Sequence, residues 1–356
     1  MLFRSGFDAR LNSDIFANEL ANVLSTNKNY DIHIFDKFIP TPLCAFATKH
    51  IKADIGFMIT ASHNPKEDNG IKVFDNNAMQ MEKSILNSIA HFLNNNISRT
   101  DFWKSNYKNQ IFYIAKETYQ AYFDYILSTQ LLANEPKNNN IKFVYTPLHG
   151  VAKRYFTQVI QQEKYSQIIN VKTQEEPNGH FPTVDFPNPE EDSTLDQAYD
   201  LANQHNIDLV FANDPDADRV QVAFRENNIF KKLTGNEMGI ILAYFAIKKT
   251  QQESITPVVA TSIVSSRMLK HMSVKMGAIY TEALTGFGNI AKAASIACAD
   301  KKDRKIAFAY EEAIGFIVGD EILDKEGILS GVRFLEILAY LDYKKLIIND
   351  FLLELN

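Results

Sequence analysis

Apolar residues recur along this chain with two periods. Spacings of three and four residues predict helices at Asp14–Ser25, Ser84–Asn94, Lys116–Leu131, Thr194–Gln204, Asn236–Lys249, Ser265–Lys275, Asn289–Ala299 and Gly331–Leu341. Short apolar runs between them predict buried strands at Ile32–Phe35, Ile55–Ile59, Ile141–Tyr145, Leu209–Phe211, Val258–Thr261 and Ile306–Ala309. Strand and helix alternate from end to end, which predicts α/β layers with mostly parallel sheets.

Two polar, Asn-rich stretches, Asn94–Asn109 and Asn134–Asn140, interrupt the pattern and read as loop or linker, and a Lys- and Gln-containing stretch follows at Lys248–Ser254. They place domain boundaries near residues 115 and 250, dividing the chain into 1–115, 116–250 and 251–356. No short-period repeat is visible; the recurring unit is apolar strand, polar loop, helix. Ligands of open α/β sheets sit at the carboxyl ends of strands. There, IGFMI runs into TASHNPKEDNG (Thr60–Gly70), FVY into TPLHG (Thr146–Gly150), LVFA into NDPDADR (Asn213–Arg219), and IAFAY into EEAIGF (Glu311–Phe316).

With 356 residues, 46% of them hydrophobic, the chain is long enough for two or three domains. A net charge of −6 argues against nucleic acid as the main partner, though local cations can still hold a small anionic substrate. Cys44 and Cys298 form no CxxC, so neither a zinc site nor a disulfide framework is read. The opening MLFRSGFDAR lacks the apolar core of a signal peptide, and the apolar stretch Ile240–Ile247 is far short of the roughly 20 residues of a membrane helix. These features predict a soluble cytoplasmic protein without a membrane partner.

Three loops carry candidate chemistry. Ser62 stands among His63, Asn64 and Lys66, with Lys72 further on. A serine hydroxyl surrounded by donors and cations suits a phosphate carrier; the same serine would also suit a helix N-cap or a tight turn. Asp214, Asp216 and Asp218 alternate in a loop stiffened by Pro215. In extended backbone alternate side chains share one side, which suits a hard divalent cation such as Mg²⁺; a solvated acidic turn is the bland alternative. An EF-hand needs Gly and Glu where Arg219 and Arg225 stand. Arg219 can hold a phosphate through two parallel donors. Glu311 and Glu312 could accept bonds from sugar hydroxyls, or simply start a helix. An aspartyl-nucleophile phosphatase is a poorer match, because Arg219 follows the third aspartate and a serine loop competes for the role.

Taken together, FDAR (Phe7–Arg10), PTP (Pro40–Pro42), TASHNPK (Thr60–Lys66), DNGIKVF (Asp68–Phe74), FPTVDFPNPEE (Phe181–Glu191), NDPDADR, GNEMG (Gly235–Gly239), ALTGF (Ala283–Phe287), YEEAIGF (Tyr310–Phe316) and LDKEG (Leu323–Gly327) resemble the α-D-phosphohexomutase family, in its phosphoglucomutase/phosphopentomutase branch. The resemblance covers almost the whole chain. It implies three consecutive α/β/α domains with mixed, mostly parallel sheets and an active-site cleft between them. It implies an intramolecular phosphotransferase that interconverts sugar 1-phosphate and sugar 6- or 5-phosphate through phosphoserine and a bisphosphate. It also implies Mg²⁺ and a glucose-1,6-bisphosphate-type activator.

By the same resemblance, Ser62 is the phosphoserine, with Asp214, Asp216 and Asp218 completing a metal site that includes its oxygen. His63 and Lys72 belong to the acid/base and charge-stabilising set, and Arg219 is an active-site contact. Glu311 grips sugar hydroxyls, with Glu312, Asn64, Lys66 and His149 lining the substrate cleft. Family members begin with an FGTAGLRG-like loop and end in a fourth domain with an R-T-S-G-T-E-P loop; the expectation here is a chain that starts after the first and stops before the second. Their TGFKW(M/I)GN loop is shortened to TGFGN (Thr285–Asn289). The competing expectation is a remnant that binds Mg²⁺ and sugar phosphate with impaired catalysis.

Overall fold

The computed structural model describes residues 1–96, 110–165, 167–299 and 301–355. Three mixed sheets follow one another along the chain. The first contains β1 (Leu2–Phe7), β2 (Asp31–Ile34), β3 (Ile55–Ile59), β4 (Ile71–Asp75) and β5 (Ile111–Tyr113), in the order β4-β3-β1-β2-β5. The second contains β6 (Lys142–Thr146), β7 (Gln167–Asn170), β8 (Leu209–Asn213), β9 (Val220–Glu226) and β10 (Ile229–Lys232), in the order β10-β9-β8-β6-β7. The third contains β11 (Thr256–Ser262), β12 (Ile279–Ala283), β13 (Arg304–Glu311) and β14 (Gly315–Val318), in the order β12-β11-β13-β14. Pairing is parallel inside each sheet. It turns antiparallel at one edge, where β4, β9, β10 and β14 run back against the strand that precedes each of them.

Helices cover the sheets: α1 (Ser13–Leu24), α2 (Thr41–His50), α3 (Lys83–Asn96), α4 (Lys116–Ser128), α5 (Lys153–Gln162), α6 (Asp196–His205), α7 (Gly235–Gln252), α8 (Met268–Lys275), α9 (Phe287–Cys298), α10 (Gly327–Tyr343) and α11 (Ile348–Leu355). Their starts follow local chemistry. Thr234 and Glu237 form a reciprocal capping box that opens α7. The stretch expected to be helical from Thr194 begins as a 3₁₀ turn at Asp192–Leu195 before α6. The stretch expected as linker from Asn94 is partly helical, since Asn94–Asn96 closes α3, and α7 runs past its expected end at Lys249 to Gln252, held by its backbone ladder despite polar side chains. The remainder of the expected Asn94–Asn109 loop lies outside the described residues.

One apolar core runs through all three layers, from Phe46 on α2 and Tyr122 on α4 to Phe156, Phe211, Phe308 and Phe334. Burial of that contiguous apolar surface is the main force holding the sheets in fixed relation. A buried ion network reinforces it. Arg333 on α10 meets Glu163 and Glu336, and Glu336 also accepts from Lys137 and from the amides of Leu131 and Leu132. The serine, aspartate and glutamate loops leave the carboxyl ends of β3, β8 and β13, and the core fixes where those ends meet.

Candidate active site

The loop after β8 is drawn into a tight cluster. Asp214, Asp216 and Asp218 are each fully buried, and oxygens from all three lie within 4.8 Å of one another. Ala217 adopts a left-handed φ of 60°, which turns the chain so that the alternate carboxylates converge. Below, Val151 donates its amide to the carbonyl of Pro215 at 2.9 Å, so the turn that contains His149 buttresses the loop.

The other units supply the surroundings. Ser62, between β3 and β4, donates its hydroxyl to Oδ2 of Asp214 at 3.1 Å, and His63 Nδ1 stands 3.3 Å from the same Oγ. Lys72 on β4 reaches Oδ2 of Asp216 and Asp218 at 2.6 and 2.5 Å. Thr41, at the start of α2, donates to Asp216 Oδ2 at 2.5 Å. Lys325, just before α10, stands 3.0 Å from Asp218 Oδ2. Arg219 donates its amide to Asp214 Oδ1 at 2.9 Å and places its guanidinium 3.4 Å from Glu190.

Electrostatics follows from burial and crowding. Burial and the adjacent charges of Asp216 and Asp218 push the Asp214 carboxyl well above the usual range. Burial would raise Asp218 as well, but Lys325, Lys72 and Arg219 overcome it and hold that carboxylate low. Burial would lower Lys72, yet Asp216 and Asp218 raise it, so its ammonium stays charged. Burial, followed by the charge of Arg219, lowers His63 to about 4, leaving a neutral imidazole at pH 7 beside Ser62.

The donor set fits a metal ion. Oδ1 of Asp216 and of Asp218 are both buried without a hydrogen-bond partner, and hard anionic oxygens left unsatisfied at this spacing suit a hard divalent cation.

Not every residue singled out from the sequence joins the cluster. Lys66 is exposed, 4.0 Å from Glu67. Asn64 bonds to Asp68 within its own loop. His149 is buried, and its Nε2 pairs with Thr183 Oγ1 at 2.8 Å. Glu311 accepts the amide of Gly286 at 2.9 Å, which links the glutamate and TGFGN loops. Glu312 accepts from Ser262 and Ser265 at 2.8 and 2.9 Å. The glutamate loop nevertheless meets the aspartate loop through a backbone bridge between Arg219 and Gly315. Thr41, Glu190 and Lys325 are the cluster members that sequence reasoning did not single out. Each lies inside a motif quoted above, so the signal available was membership of PTP, FPTVDFPNPEE and LDKEG. A cavity of about 590 Å³ lined by Phe46, Tyr125, Lys305 and Asp320 lies elsewhere and receives none of the cluster residues.

Comparison with known proteins agrees with this architecture. Residues 6–100, 120–227 and 234–348 match the phosphoglucomutase/phosphomannomutase α/β/α domains I, II and III. The chain is 34% identical over 366 residues to the phosphoribomutase of Saccharomyces cerevisiae, covering 95% of this chain and 58% of that protein. It is 34% identical over 341 residues to a Haemophilus influenzae protein named probable phosphomannomutase, covering 94% of this chain and 67% of that one. The crystal structure of a phosphoglucomutase/phosphomannomutase family protein from Burkholderia thailandensis superposes with a TM-score of 0.74 at 18% identity, covering 100% of this chain and 71% of that chain. The chain thus spans under two thirds of the yeast relative's length. Three domain matches in the right order, and identity sustained through all of them, show that the chain belongs to the α-D-phosphohexomutase family.

Proposed function

We propose that this chain carries the phosphoryl-transfer machinery of a phosphosugar mutase, in which Ser62 holds the phosphoryl group passed between two hydroxyls of one sugar phosphate. The observation that supports it most is the Ser62 hydroxyl 3.1 Å from Asp214, at the edge of a buried triad flanked by Lys72, Arg219 and Lys325. A nucleophile, a metal-competent carboxylate set and three cations in one place match the needs of transferring a group that carries about two negative charges.

Asp214, Asp216 and Asp218, with an oxygen on Ser62, would hold Mg²⁺, whose bound charge would offset that of the transferring phosphoryl group. The remaining work falls to the chain. In the forward step the Oγ–P bond of phosphorylated Ser62 breaks, a bond from phosphorus to a sugar hydroxyl oxygen forms, and Ser62 regains a hydroxyl. The proton of that sugar hydroxyl passes by way of the neutral His63 imidazole, whose Nδ1 lies 3.3 Å from Ser62 Oγ. The return step reverses these bonds at the sugar's other phosphate. Lys72 and Arg219 keep fixed positive charge at the transfer point, and Glu311, on the loop that bridges to Arg219 through Gly315, would orient sugar hydroxyls. Glucose and pentose phosphates are the proposed substrate class, and a bisphosphate of glucose the priming donor. The division into units near residues 115 and 250 belongs to the same proposal.

The test is the intact mass of the purified chain with and without glucose-1,6-bisphosphate and Mg²⁺, alongside Ser62→Ala. A single phosphate gained by the wild type and absent from the variant is the expected result. No gain on a folded chain would overturn the reading.

A further inference from the structure

We infer that Asp8 and Arg10, at the end of β1, form a clamp that sets the backbone on both sides of Ser62, and that a segment of the second unit locks the clamp shut. This rests on the reading of Ser62 as the phosphoryl carrier.

Ser62 lies in a long connection between β3 and β4, and its φ of 53° is left-handed, an uncommon conformation for a residue with a side chain. Both of its backbone polar groups are held from the turn that follows β1. On the amide side, Ser62 donates to Thr60 Oγ1 at 2.8 Å, and that hydroxyl donates to Asp8 Oδ2 at 2.7 Å. On the carbonyl side, Arg10 donates to the Ser62 oxygen at 2.7 Å. The same guanidinium bonds the carbonyls of Asn64, Pro65 (2.8 Å) and Asp68 (3.2 Å). Arg10 is 2% exposed, so these bonds form away from competing water. A planar guanidinium can span such an arc of carbonyls; a lysine head, a single point with three donors, cannot.

The lock comes from Gly179 and from the FPTVDFPNPEE segment that follows it. The Phe181 ring covers Arg10, 5.1 Å from Cζ. Gly179 lies directly on the backbone of residues 9–11. A Cβ there would meet the Ala9 carbonyl at 2.5 Å and Arg10 Cα at 2.9 Å, so only glycine permits the contact. Further along, the Phe186 ring packs edge-on against His63 at 5.8 Å. One segment therefore holds both the clamp and the imidazole beside Ser62. Arg10 makes no bond to Ser62 Oγ; it is a positioning residue. In-line transfer is sensitive to such placement, where an error of about 1 Å can cost on the order of 100-fold in rate.

The experiment uses the full chain as Arg10→Lys and, with Arg10 intact, Phe181→Leu. Hydrogen exchange of the 61–70 amides is followed together with the rate at which Ser62 takes phosphate from glucose-1,6-bisphosphate and Mg²⁺. Arg10→Lys should speed exchange in 61–70 by about tenfold or more while β8 and α10 hold theirs, and slow phosphorylation by a similar factor. Phe181→Leu should shift both in the same direction by less. Unchanged exchange in 61–70 overturns the clamp, and loosened exchange with a wild-type phosphorylation rate overturns its link to transfer. Should Arg10→Lys fail to fold, Phe181→Leu decides on the same two readings. A wild type that takes no phosphate overturns the carrier reading instead, and the exchange data still decide the clamp.

Discussion

Nζ of Lys325 stands 3.0 Å from Oδ2 of Asp218, the same oxygen that Lys72 reaches at 2.5 Å. Two ammonium groups therefore share one carboxylate oxygen, in a site where all three aspartates are buried. Either lysine competes electrostatically with a divalent cation, and either would offset an incoming phosphate. Removing one should separate the two effects. Lys325→Met is expected to tighten Mg²⁺ binding several-fold, measured by calorimetry, and to slow Ser62 phosphorylation by about 10- to 100-fold. Weaker Mg²⁺ binding in the variant would show that Lys325 orders the triad rather than competing for it.

Metal binding should also be visible as stability. Asp214 has its carboxyl raised by burial and by Asp216 and Asp218, so the metal-free cluster is under electrostatic tension. A cation that binds only the folded chain at 100 times its Kd adds about 2.7 kcal/mol. Millimolar Mg²⁺ should thus raise the Tm of the wild type by several degrees. Asp214→Asn should melt near the metal-free wild type and show no Mg²⁺ response. An undiminished response in that variant would remove Asp214 from the ligand set.

The backbone beneath the cluster leaves no spare room. Gly327 opens α10 against the aspartate loop, and a Cβ there would lie 2.4 Å from the Arg219 carbonyl and 2.7 Å from its amide nitrogen. Both obstacles are main chain, so relief requires the helix to move. Gly327→Ala is expected to cost about 1–3 kcal/mol in urea unfolding, in spite of alanine's better helix propensity, and to blunt the Mg²⁺ response. A neutral or stabilised variant would show that α10 shifts freely against the loop.

How far the chain itself reveals this arrangement depends on burial. Strands β3, β6, β8, β11 and β13 are flanked on both sides and read as nearly unbroken apolar runs, so the pattern predicts them. It does not show β1, although that strand is central, because Arg4 and Ser5 interrupt its apolar run while remaining buried in the fold. Helix α2 is hidden for another reason: Pro40 and Pro42 read as loop, yet Pro42 occupies the first turn, where a missing amide does no harm. The aspartate and serine loops are legible because their residue types are unusual at strand ends. Lys325 is not, since nothing local distinguishes a lysine between Asp324 and Glu326; only the packing of α10 brings it to Asp218. Lys66 shows the converse, a lysine in a loaded motif that points to solvent.

Glu326 carries the last prediction. It caps α10, accepting from the amide of Leu329 and from the hydroxyl of Tyr122 on α4. Its carboxyl is fully enclosed, and burial raises it from 4.5 to about 7 against the opposing hydrogen bonds. The folded chain therefore holds this proton more tightly than the unfolded chain. The linkage sign follows: the contribution to stability is complete below pH 4.5, declines as pH rises, and is lost above about pH 7. At 1.36 kcal/mol per unit the full swing is about 3 kcal/mol. Glu326→Gln keeps the neutral shape but cannot ionise. Its stability relative to wild type should rise between pH 4.5 and about 7, the window set by that shift, and level off beyond. The measurement is urea unfolding of both proteins across that range in metal-free buffer. A pH-independent difference between them would mean that Glu326 stays ionised in the core, with Tyr122 and the α10 amides stabilising the carboxylate enough to cancel its burial.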